Sequence, residues 1–154
     1  MHRSPELWLR LFQLSIAPGA LLTATNDLHG LASAPMAKLG IPGWFIRWIG
    51  AWKAVALALN WAHDGSVPVA QGMISVLMGG AIFSHVVVER SPLKALPALA
   101  FLGTSIAVPI LRGATPPAQS ACISVALALL GFAVGHGIQT MRTPSAPSKA
   151  DKRA

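Results

Sequence analysis

Seven side chains set in apolar surroundings carry whatever chemistry this sequence offers: Asp27, His29, Arg47, Trp52, Lys53, His85 and His136. Ionisable groups inside lipid-facing segments are costly, and they concentrate where a ligand or a proton passes. Lys53 is the sharpest of them. It stands well inside the apolar run that begins at Ile41, too deep for its stem to reach a head group with ease. An ammonium there costs about 2.5–3.5 kcal/mol unless it is paired, neutral or wet. Asp27 is its natural carboxylate partner, with His85 or backbone carbonyls as alternatives; a tilted or shifted helix would instead bring Lys53 to the surface. Trp52, next to it, has the flat apolar face that would flank a planar ligand.

Asp27, His29, Arg47, His85 and His136 come from four separate apolar segments. Threaded alternately through a bilayer, they fall at a similar depth near one face. Either they form the polar rim of their helices, where side chains snorkel to water, or they line a vestibule between helices that opens to the cytoplasm. Both readings stand at this level. No glycine-rich nucleotide loop, phosphate-binding loop or HExxH pair occurs, so no catalytic residue and no metal site is assigned. The one cysteine, Cys122, excludes an internal disulfide and a cysteine metal cluster. Apart from Asp27 no carboxylate lies inside a span, which argues against proton pumping and acid–base isomerisation.

The elements that must position these groups follow from composition. The chain has 154 residues, 53% hydrophobic and 11% charged, with a mean hydropathy of +0.57. A water-soluble domain carries about a quarter of its residues charged, so lipid has to stand in for water here. Spans are expected at about residues 7–31, 41–61, 67–88, 95–111 and 119–141, each long enough for the hydrocarbon core. Helices are the form that pairs every backbone group internally in lipid. The first segment is the weakest, because it holds Arg10, Gln13, Pro18, Asp27 and His29; an interfacial helix or a signal sequence are its alternatives. Proline-bearing linkers separate the spans, and residues 142–154 read as a disordered basic tail.

With five spans, seven basic residues fall on the side of the C-terminus (Lys38, Arg90, Lys94, Arg142, Lys149, Lys152, Arg153) against Arg3, Arg10 and Arg112 on the other. That asymmetry places the C-terminus in the cytoplasm, in a cell or inner membrane. It also accounts for the net charge of +7 through anionic lipid, without nucleic acid as a partner. Trp44, Trp48 and Trp52 recur every four residues as one stripe, suited to the interface and to packing. Gly131 and Gly135 form a small-xxx-small pair that lets helices approach closely.

Two stretches, LGIPGWFIRWIGAWKAVALAL and AQGMISVLMGGAIFSHVVVERSPLKALPAL, together resemble the DoxX-like family of small multi-pass membrane proteins. Leu39, Gly40 and Pro42 match its helix entry, Gly80 and Ala81 its small-residue patch, and His85 its terminal histidine. The resemblance covers about residues 7–111. It implies an all-α integral membrane bundle, a four-helix core here extended by a fifth, C-terminal transmembrane helix. Where such proteins commonly carry a glutamate in the second helix, this chain has Lys53. The resemblance further implies an accessory subunit of a membrane redox or thiol-stress system rather than an enzyme. Two alternatives stay open: a binder of a quinone, sterol-like or other lipid ligand near Trp52, Lys53 and His85, and a chaperone or assembly factor that grips partner helices. No cofactor is evident otherwise; the bilayer, a redox partner or a second copy of the chain are the expected partners.

Overall fold

A computed structural model describes residues 3–24 and 43–140, and every regular element among them is helical. The N-terminal segment forms two helices, α1 (Arg3–Gln13) and α2 (Ile16–Ala24). They meet at Leu14 and Ser15, where the bonds tighten: Leu14 N donates to Leu11 O at 3.0 Å and Ser15 N to Phe12 O at 3.0 Å. The expected first span is thus broken within its first half; its end, with Asp27 and His29, lies outside the described residues. Helix α3 (Gly43–Ala62) follows, and its 20 residues extend about 30 Å at 1.5 Å per residue.

Helix α4 (Val67–Phe83) is entered through a 3-10 turn and continued by a π-helical turn, Ser84–Val88. The turn after α3 is tied by Ser66, whose hydroxyl donates to Leu59 O and to His63 O at 2.7 Å. Helix α5 (Leu96–Leu111) ends where Gly113 takes φ +68°. Gly113 N then donates to Ile110 O and Ala114 N to Pro109 O, the paired closure that a left-handed residue allows at a helix end. Helix α6 (Pro117–Thr140) completes the bundle. Among the described residues three helical stretches, 64–88, 92–111 and 117–140, are long and apolar enough to cross a membrane.

Helix α4 is the hub, packing on α3, α5 and α6, while α2 lies on α3 and α1 on α5. Ile16, Ala56, Ile74, Met78 and Ala98 form the apolar centre. Against α6 the contact is backbone on backbone. A Cβ added to Gly79 would overlap the Ala128 carbonyl, and one added to Gly131 would overlap the Val76 carbonyl. Gly135 abuts the Phe83 ring instead. The small residues read from the sequence are therefore packing devices, as dispersion-driven helix association in lipid requires.

Burial runs opposite to that of a soluble protein. Gln13, Asn60, Ser75 and Ser105 are fully buried, whereas Trp8, Leu21, Leu93 and Leu129 are 64–76% exposed. Water would punish so large an apolar surface; hydrocarbon rewards it, because polar groups are then what must hide and pair.

Candidate functional site

Four uncharged polar side chains from four helices meet inside the bundle. Gln13 on α1 donates from Nε2 to Gln71 Oε1 on α4 at 2.8 Å and to Thr104 Oγ1 on α5 at 2.9 Å. Asn60 on α3 returns a bond from Nδ2 to Gln13 Oε1 at 2.8 Å. Gln71 Nε2 donates to Asn60 Oδ1 at 2.8 Å and to Gln13 Oε1 at 3.1 Å. The cluster continues inward, where Ser75 Oγ donates to Gln71 O and lies 2.9 Å from Ser105 Oγ. Amides are suited to this place because each carries both donors and acceptors without a charge to desolvate.

Over this network sits a charged layer at the α3–α4 and α5–α6 loops. Arg10 Nη1 lies 3.2 Å from Glu6 Oε1, its other terminal nitrogen donates to Asn60 O, and its guanidinium stands 4.5 Å from the centre of the Trp61 ring. Arg112, set by the Gly113 turn, reaches the same Glu6 oxygen at 3.5 Å and pairs with Asp64. Its side chain is only 14% exposed, turned onto these carboxylates. Glu6, Arg10 and Gln13 recur at four- and three-residue steps, so α1 shows the bundle its polar face and lipid its apolar one.

None of the described residues among those singled out from the sequence belongs to this network. Trp52 faces α4, donating from Nε1 to Met73 O at 3.2 Å. Lys53 faces α2, since a Cβ on Gly19 would stand 3.9 Å from its Nζ. Among the described residues no carboxylate reaches it: Glu6 and Asp64 pair with arginines and Glu89 with Lys94. His85 stands about 18 Å along α4 from the level of Met73, at 1.5 Å per residue. It lies in the π-turn, with Nδ1 3.4 Å from Glu89 Oε2. The ring of His136 is 6.0 Å from that of Phe83, which puts the two histidines at the same end of the bundle. Arg47 is exposed. Asp27 and His29 lie outside the described residues.

Glu89 is the hub of the α4–α5 connection. Its Oε2 accepts from Lys94 Nζ at 2.9 Å, and that bond, helped by His85, holds its carboxyl below the usual 4.5. Arg90 follows with φ 52°, turning the chain out of the π-turn. A depressed carboxylate stabilises above its ordinary pKa and loses that contribution as pH falls through the folded value. Wild-type protein in detergent should therefore lose thermal stability on acidification below pH 4.5 by a margin that Glu89→Gln lacks. Melting curves of the two proteins between pH 6 and 3 measure it.

A family model described as the DoxX-like family matches residues 8–108, about two thirds of the chain. The chain belongs to the DoxX-like family. It is an integral membrane protein of that family, and α6, beyond the match, is its addition to the shared core. No curated protein and no solved structure matches the sequence. Within the matched DoxX-like region lie Gln13, Asn60, Gln71 and Thr104 as well as Lys53 and His85. Reading the sequence for ionisable groups passed over the first four. The available signal was an uncharged polar residue, in each of four apolar segments, on the side of the same loops.

Proposed function

We propose that this DoxX-like protein is an accessory subunit of a membrane redox or thiol-stress system, acting by contact with partner helices rather than through chemistry of its own. The observation that carries this reading is the amide network. Its donors and acceptors are spent on one another, so the polar interior serves to hold four helices in register. A buried polar network that is fully satisfied rigidifies a bundle. The link to redox partners rests on the family resemblance alone. Purification from native membranes in mild detergent tests it: one stoichiometric redox subunit is the expected companion, and recovery of the chain by itself would overturn the reading.

Lys53 favours a second reading, a lipophilic ligand with a hydrogen-bond acceptor held between α2 and α3. The Lys53 ammonium meets no carboxylate among the described residues, and a carbonyl of a quinone or lipid would answer its charge. Mass spectrometry of the purified protein should then find such a molecule, absent from Lys53→Leu; identical ligand content in both proteins removes this reading.

The orientation we propose has the C-terminus and the α4–α5 connection in the cytoplasm. In a Cys122→Ser background, Leu93→Cys should react with a membrane-impermeant maleimide only in opened membranes. Ala114→Cys should react in intact cells. The reverse pattern would invert the topology.

A further inference from the structure

Helix α1 is held differently from the rest of the bundle. Its inward contacts are polar, through Glu6, Arg10 and Gln13, with one aromatic stack, Phe12 on Phe101 at 4.7 Å. Leu7, Trp8 and Leu11 point outward. A short helix with this division is stable in two places. Docked, its polar face meets the bundle; undocked, it lies in the interface with the same polar face in water and the same apolar face in lipid. The Leu14–Ser15 break supplies the joint between them. What α1 fills is a socket of defined chemistry. Asn60 Nδ2 and Gln71 Nε2 aim two donors at the Gln13 oxygen, and Gln71 Oε1 and Thr104 Oγ1 offer two acceptors to its nitrogen. Two donors to one oxygen and two acceptors for an adjacent NH2 describe a primary carboxamide.

We infer that α1 is an exchangeable insert, and that the socket of Asn60, Gln71 and Thr104 receives the Asn or Gln side chain of a partner transmembrane helix when α1 withdraws. This rests on the accessory-subunit reading and names how the subunit grips its partner. The incoming carboxamide restores the bonds that Gln13 gives up, while the contacts of Glu6, Arg10 and Phe12 are exchanged for water and lipid at the interface. A helix with leucine at that position would leave the socket amides without partners.

The probe is a synthetic helix of leucine and alanine carrying one glutamine a turn or two from its end, with a leucine version as control, added to the full-length protein in lipid nanodiscs. Energy transfer between labelled peptide and protein reports binding. The glutamine peptide should bind about tenfold more tightly, as two interhelical hydrogen bonds of bilayer strength imply. Phe12→Cys with Phe101→Cys in the Cys122→Ser background, joined by a cleavable bis-maleimide, should abolish that preference, and cleavage should restore it. Gln13→Leu, which frees the socket without a crosslink, should strengthen glutamine-peptide binding. Equal binding of both peptides, or undiminished binding to the joined protein, overturns the inference. Crosslinks that form between copies rather than within one chain overturn it too, in favour of a second copy's α1 as the occupant. A redox subunit that still co-purifies with the joined protein would leave the accessory reading standing while this one fails.

Discussion

Gly79→Leu should separate α4 from α6 and cost the protein about 3 kcal/mol or more, the upper end of what overpacking does. The reason is what the new side chain meets. Its Cβ would overlap the Ala128 carbonyl, a piece of backbone inside a helix, and a helix cannot rotate one carbonyl away without losing its own ladder. The obstacle is mirrored at Gly131 against Val76 and Gly80, so α6 has to move out bodily. Leaving would expose Ser120, whose hydroxyl donates to Ile106 O at 2.8 Å and ties α6 to α5. Gly103→Leu is the matched control, because nothing lies within 4 Å of a Cβ there. That variant should stay within about 0.5 kcal/mol of wild type. Unfolding in detergent, followed by circular dichroism, measures both; equal stability of the two variants would refute the close α4–α6 contact.

The second large effect is expected from Gln13→Leu. Removing this one side chain takes away the acceptor of Asn60 Nδ2 and the donor to Gln71 Oε1, while Thr104 keeps its bond to Phe101 O. Two buried groups without partners suggest about 1–3 kcal/mol each by the measure of soluble proteins. Interhelical bonds in a bilayer average only about 0.6 kcal/mol, with a ceiling near 1.7. The bilayer figures govern here, since the unfolded chain in lipid also finds partners, and a loss of about 2 kcal/mol follows from two such bonds midway between that average and that ceiling. Because the amides act as one cluster, Gln13→Leu with Gln71→Leu should cost clearly less than the two single losses added. Strict additivity would show that the network does not act as a unit.

Those two sites differ in how far they can be seen in advance. The glycine contact was foreshadowed, since Gly131 and Gly135 recur at the interval that brings helices together. The amide cluster was not. Gln13, Asn60, Gln71 and Thr104 are spread over 91 positions, and none is charged. Inside apolar runs they read as tolerable interruptions, while Lys53, His85 and Arg47 drew the attention that insertion costs direct to charges. Arg112 makes the same point. Its long stem permits an outward reach, and only the fold places Glu6 and Asp64 close enough to turn it inward.

Preference for lipid and helical form are local properties, summed along the chain, and they could be read from residue types and run lengths. Membership in the DoxX-like family belongs with them, because its helix entry, small-residue patch and terminal histidine are short linear patterns. Which polar groups meet is another kind of fact. It depends on the rotation of each helix about its axis and on the crossing of α4 with its neighbours, and a few tens of degrees of rotation would point Gln71 at lipid instead of at Gln13. Nothing in a linear pattern of residues stores those angles. They are settled when glycine surfaces lock backbones together and buried amides find partners, and that happens only in the assembled bundle.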